Sequence, residues 1–256
     1  MTDEKHSIEL EIEVPGTPEE VWRAIATGPG ITSWYVPHEV DEQEGGSATA
    51  RFGPGPEMEV PGRVATWEPP HRVVFDGGED AGGLAFEWLV EARDGGTCIV
   101  RLVNSGFGEG NEWDDQYDAM TEGWKMFLSN LRLHMNHFAG QSATTSLPGA
   151  MWPGPGEAAW SKLCAALGIP ADVGVGDRVD VSAADAPPLA GVVAEIKPSL
   201  IMLVADEPAP GTVLIAAEEM GDSVQVSVWS YLYGADADAI VERDEPRWQS
   251  WLDAGA

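Results

Sequence analysis

Residues 7 to 14, SIELEIEV, alternate without interruption, with Ile8, Leu10, Ile12 and Val14 on one side and Glu9, Glu11 and Glu13 on the other. A period of two is that of a strand with one buried face. The pattern then changes. In PGTPEEVWRAIA (15–26), Thr17 is placed to cap a helix, Pro18 suits its first turn, and Glu20 completes a capping box. Val21, Trp22 and Ile25 form the apolar face of that helix. ITSWYVP (31–37) reads as a second short helix closed by Pro37. Short strands are expected near 47–52, 57–67, 71–76, 84–92 and 97–104. In the fourth, Leu84, Phe86, Trp88 and Val90 share a face, and RDGGT (93–97) after it is a hairpin signal. Beyond Trp113 the apolar spacing becomes three and four. Positions 113, 117, 120, 124, 127/128, 131 and 135 form one stripe on a helix over 113–137. Asp114, Asp115 and Asp118 sit in its first turns, where the helix dipole favours acids.

This order is α+β. A curved antiparallel sheet has one face to bury, and one long striped helix can bury it. The later part of the chain echoes the earlier part. GEAAWSKLCAALGIP follows PEEVWRAIATGPG, with Trp160 where Trp22 stood. GVVAEIKPSLIMLVA (191–205) follows GRVATWEPPHRVVFD (62–76) without a gap, matching Gly191 to Gly62, Val193 to Val64 and Pro198 to Pro69. EEMGDSVQVSVWSYLYG follows EARDGGTCIVRLVNSGFG, and a helix near 236–253 carries Ile240, Trp248, Trp251 and Leu252. The expected division is a first domain over 1–139, a Gly/Pro/Ser/Thr-rich linker over 140–155 and a degenerate second copy over 156–256. On that reading residues 156–253 superpose on 18–138, and the linker around Thr144 to Met151 is where the second copy's first strand would be found. The alternative is an unrelated α+β cap domain.

Charge narrows the partners. With 43 acidic against 14 basic residues the formal charge is −29, which opposes nucleic acid and anionic membranes, since phosphate contacts need clustered Lys and Arg. No run reaches the roughly 18 apolar residues of a membrane span. The N-terminus, MTDEKHSIELEIEV, lacks a basic leader and an apolar signal core. The expected location is the cytoplasm, with Cys98 and Cys164 reduced.

A helix laid across a curved sheet leaves room for a cavity at one end, and such pockets are mostly apolar with a few polar groups. The candidate lining is Trp34, Phe52, Met58, Val64, Phe75, Phe86, Trp88, Asn104, Tyr117, Met120 and Trp124. Asn104 and Tyr117 each place a polar tip in an apolar space, which calls for a partner. Filling of an ordinary core is the competing account of all these positions. Histidines 6, 38, 71, 134 and 137 make no metal-ligand pattern. No nucleophile elbow or phosphate-cradling glycine loop occurs. Glu109, Glu112, Asp114, Asp115 and Asp118 could supply an acid/base pair, but a solvated helix start explains them as well. Neither a cofactor nor a catalytic residue is assigned.

With PEEVWRAI, SWYVP, GRVATWEPPHRVVF, DGGTCIVRLVNSGF and YDAMTEGWKMFLSNLRLHM in this order, the chain resembles the SRPBCC (START-like, helix-grip) superfamily over about residues 6 to 138. Within it the similarity is to the branch named for the activator of heat-shock-protein-90 ATPase, in its bacterial single-domain form. The resemblance implies a helix-grip fold. It also implies one of several functions, because the superfamily includes lipid carriers, hormone sensors, cyclases and co-chaperone domains. The leading expectation is binding of a small hydrophobic or aromatic molecule by the first unit, as carrier or sensor, with the second as partner or lid. A non-enzymatic protein-interaction or co-chaperone-like module is the second class, and a polyketide cyclase or dehydratase is the third. Catalysis is left open, with the balance against it.

Overall fold

The computed structural model describes residues 7–53, 55–77, 84–106, 111–181 and 183–255; the side chains of 111–116 lie outside this description. The chain divides into two compact units, Met1–Ser142 and Ala143–Ala256.

The first unit opens with β1 (Ile8–Pro15), α1 (Pro18–Ala26) and α2 (Gly28–Thr32). An antiparallel run follows: β2 (His38–Val40), β3 (Ser47–Arg51), β4 (Glu59–Glu68), β5 (Arg72–Asp76), β6 (Ala85–Arg93) and β7 (Thr97–Ser105). Helix α3 (Asn111–His137) closes the unit. The sheet order is β1-β7-β6-β5-β4-β3-β2, so the meander ends beside the strand that began it. In β1 the ends of the apolar face, Ile8 and Val14, are buried while its three glutamates face solvent. The capping box forms: the Glu20 amide donates to Thr17 Oγ1 at 3.3 Å, and the Thr17 amide donates to Glu20 Oε2 at 2.8 Å. On α3, Trp124, Phe127, Leu128, Leu131 and Met135 are buried as the stripe requires. Trp113 and the acids 109, 112, 114 and 115 fall outside the described residues or side chains.

The second helix departs from expectation. It begins at Gly28 and ends at Thr32 rather than running over 31–37. Thr27 caps it, accepting from the Gly30 amide at 3.1 Å, and Pro29 occupies its first turn. A Cβ on Gly30 would stand 1.9 Å from the Arg23 carbonyl oxygen, so glycine is what lets α2 fold back on α1. Trp34, Tyr35 and His38 therefore lie beyond the helix, and β2 is a strand that the alternation did not announce.

The second unit also runs from strand to helix to antiparallel strands to a closing helix, but with two opening strands, one helix before the antiparallel run instead of two, and five strands in that run instead of six. β8 (Thr144–Ser146) and β9 (Gly149–Pro153) precede α4 (Gly156–Leu167). Then come β10 (Arg178–Asp180), β11 (Ala190–Lys197), β12 (Leu200–Glu207), β13 (Gly211–Met220), β14 (Ser223–Leu232) and α5 (Ala237–Asp253). The order is β10-β11-β12-β13-β14-β8, with β9 also on β14. Much of the stretch expected as a linker is thus strand, and two short strands along β14 stand where β1 stands along β7. Counted back from the last strand, β4 and β11 occupy the same slot. Each carries a register irregularity at the matching place, between Val64 and Thr66 and between Val193 and Glu195. The sequence echo is nonetheless not gapless: three residues, Pro69 to His71, join β4 to β5, whereas only Pro198 and Ser199 join β11 to β12. The second core is filled by Leu163, Leu167, Leu203, Val213, Ile215, Val226, Val228, Trp248 and Leu252.

Candidate ligand pocket

The pocket of the first unit is built on rows of paired strands. His38 on β2 is opposite Ala50 on β3, which is opposite Val60 on β4. Phe75 on β5 faces Phe86 on β6. Residues paired across antiparallel strands point to one side, so each row presents its side chains on one face of the sheet. Trp34 is fixed by its neighbours: its Nε1 donates to the Ala24 carbonyl at 2.8 Å, and its own carbonyl accepts from Asn130 Nδ2 at 2.9 Å. Trp124 approaches from α3, its ring centroid 5.6 Å from Trp88, 5.6 Å from Phe86 and 5.0 Å from Tyr35.

Together these groups bound a cavity of about 140 Å³. Trp34, Phe52, Phe75, Phe86, Trp88 and Trp124, all candidates from sequence, line it. The other candidates do not. Val64 is fully buried, and Met58 is largely exposed beside the turn where the Phe52 amide donates to its carbonyl. Met120 is half-buried off the cavity. The Tyr117 hydroxyl donates to the Ser7 carbonyl at 3.1 Å. Asn104 is wholly buried and its Nδ2 donates to the Ala85 carbonyl at 3.1 Å, with no donor on Oδ1 among the described residues. The cavity thus sits toward the β2–β5 side of the sheet, under α2, rather than at the start of α3.

Tyr35 and His38 belong to the lining and were not singled out from the sequence. Their ring centroids are 5.5 Å apart. His38 Nδ1 lies 2.8 Å from the Val36 carbonyl. A carbonyl only accepts, so Nδ1 carries the hydrogen and Nε2 of the neutral ring presents a lone pair. Burial lowers the His38 pKa to about 4 against a smaller upward pull from that carbonyl, so the ring is neutral at neutral pH. Burial pushes the Tyr35 hydroxyl far above its ordinary value, keeping it protonated. Asp76, also in the lining, is held by Arg63, whose Nε and Nη2 donate to its two oxygens at 2.8 and 3.2 Å. No Lys or Arg lines the cavity among the described residues. Nor, within the same residues, is there a group of three or more His, Cys, Asp or Glu able to hold a metal, or a helix long and apolar enough to cross a membrane.

Comparison with known proteins gives a family for this unit. A model of the family described as Activator of Hsp90 ATPase homolog 1-like protein matches residues 15–136. No curated protein matches the chain. Among solved structures, the chain is similar to the Aha1 dimer of Colwellia psychrerythraea, at 18% identity and a TM-score of 0.44, over 51% of this chain and 96% of that one. Protein BH1534 of Bacillus halodurans shows 22% identity and a TM-score of 0.44, over 51% of this chain and 96% of that one. A di-domain ARO/CYC, BexL from the BE-7585A biosynthetic pathway, is similar along 96% of this chain and 92% of its own, at 14% identity and a TM-score of 0.46.

Proposed function

With its N-terminal unit a member of the activator of Hsp90 ATPase homolog 1-like branch of the START-like, helix-grip superfamily, we propose that this protein binds a small hydrophobic or aromatic molecule, as a carrier or sensor. The observation that carries the reading is the cavity itself: about 140 Å³ of space walled by Trp34, Phe52, Phe75, Phe86, Trp88 and Trp124. Apolar voids of roughly 150 Å³ admit a benzene-sized guest, so a single ring is the right scale. Aromatic walls favour a flat, apolar guest through edge and stacking contacts.

The C-terminal unit is on this proposal a degenerate copy of the same fold whose interior is closed. The matched irregularities on β4 and β11 support the duplication, and the apolar filling of the second core supports the closure. The domain limits proposed from sequence, 1–139 and 156–256, then need β8 and β9 added to the second copy, since both pair with its last strand.

The test is direct binding. Ligand-observed NMR with toluene on the full chain, together with native mass spectrometry of freshly purified protein, is expected to show a guest bound at one site per chain. If toluene fails to bind and no ligand co-purifies, the pocket reading is overturned and a protein-interaction module becomes the leading account.

A further inference from the structure

The cavity is apolar on most of its wall, but Tyr35 and His38, their ring centroids 5.5 Å apart, bring a hydroxyl and an imidazole to its lining. No hydrogen bond engages the Tyr35 hydroxyl among the described residues, and its ring is held by five aromatic neighbours: Trp34, His38, Phe52, Trp124 and Phe127, at centroid distances from 4.4 to 6.0 Å. That packing holds the ring in place. His38 is fixed just as firmly. Its Nδ1–H is committed to the Val36 carbonyl at 2.8 Å and its backbone amide donates to Thr32 Oγ1 at 3.0 Å. What remains is one O–H donor on Tyr35 and one lone pair on His38 Nε2, on rings tilted 39° to each other. Both residues are half-buried, and a purely hydrocarbon guest that covered these groups would take them from water without giving them a partner, which is costly.

We infer that the guest is a neutral single-ring aromatic alcohol of the phenol class, whose hydroxyl donates to His38 Nε2 and accepts from the Tyr35 hydroxyl while its ring lies against Trp88 and Trp124. This deepens the pocket reading above and rests on it. The guest is neutral because the described lining offers no Lys or Arg, and a chain of formal charge −29 repels an anion. It has one ring because the cavity is about 140 Å³. It carries a hydroxyl, rather than a carbonyl, because only a group that both donates and accepts answers both protein partners.

Isothermal titration of the full chain with phenol, toluene and benzoate separates the two levels of the reading. Toluene reports the cavity alone, and the ratio of phenol to toluene affinity reports the polar pair. Tyr35→Phe removes a single oxygen, and His38→Phe removes the acceptor while keeping a ring. The expected result is that toluene affinity changes little in either variant, while the phenol-to-toluene ratio falls about tenfold. Benzoate is expected to bind more weakly than either. If toluene binds but the ratio is the same in wild type and Tyr35→Phe, the phenol inference is overturned and the apolar pocket stands. Tight benzoate binding overturns it as well. If toluene does not bind to the wild type, the pocket itself is overturned. Should His38→Phe fail to fold, the isosteric Tyr35→Phe comparison still decides the outcome.

Discussion

The indole of Trp124 stands edge-on to that of Trp88, with ring centroids 5.6 Å apart and planes crossing at 78°. One ring comes from the closing helix of the first unit and the other from β6 of its sheet, so the pair joins helix to sheet in the lining of the cavity. Both are almost wholly buried. Trp124→Ala removes the indole and leaves a void that the surrounding rings cannot fill. The expected cost is about 3–5 kcal/mol, the range for large aromatic truncations in a core. Urea unfolding followed by far-ultraviolet circular dichroism measures it, and a loss below about 1 kcal/mol would show that the helix does not depend on this contact.

Ala50 lies on the cavity wall between His38 and Val60. Replacing its methyl by the isobutyl group of leucine is expected to occupy the cavity. In a packed core the same change would cost typically 1–3 kcal/mol; here stability should hold or rise slightly, while toluene affinity drops at least tenfold. Thermal unfolding and titration on the same sample distinguish a filled cavity from an overpacked core.

Much of this was legible because a single period governed each segment. The alternation of 7–14, the capping box at Thr17 and Glu20, and the stripe through Trp124, Phe127 and Leu131 each have one physical reading, and the structure carries all three. The second helix was displaced because Gly28, Pro29 and Gly30 look like a break, whereas Thr27 caps a turn that only glycine permits. That displacement hid Tyr35 and His38, which lie after the helix and line the cavity. The first strand of the second unit was expected around Thr144 to Met151 and is there, but split by Leu147 and Pro148 into β8 and β9. The aromatic wall was visible as a set of residue types, but its polar members were not. Asn104 and Tyr117 have the right chemistry, yet each is engaged by a nearby backbone carbonyl that no spacing rule reveals.

Buried His134 and half-buried His38 set the expected sign of an acid sensitivity. Burial lowers both His38 and His134 to about 4 from an ordinary value of 6.5. Between those values the unfolded chain binds protons that the folded chain does not. Stability from this source is therefore complete above pH 6.5 and is lost as pH falls toward 4. Each histidine adds up to about 1.4 kcal/mol per pH unit to the slope. Unfolding free energies of wild type and His38→Phe, measured by urea at pH 7, 6, 5 and 4, should differ by a slope approaching that size in the acid limb. Parallel curves would mean that His38 is protonated in the folded protein.

Gly62 and Gly191 provide the test of the duplication. Each sits on the outer strand of the pair that carries the shared register irregularity. At Gly62 an added Cβ would lie 2.9 Å from the Asp76 carbonyl oxygen, and at Gly191 it would lie 2.6 Å from the Val204 carbonyl oxygen. In both cases the obstacle is neighbouring backbone, which cannot turn aside as a side chain can. Gly→Ala at a permissive site is neutral or mildly stabilising, because it restricts the unfolded chain. Here both substitutions are expected to destabilise by about 1–3 kcal/mol through enforced backbone displacement. The larger loss is expected at Gly191, where the approach is closer. Two independent folds would have no reason to demand glycine at the same slot for the same contact. If either alanine is tolerated without loss of unfolding free energy, the correspondence between β4 and β11 reduces to topology alone.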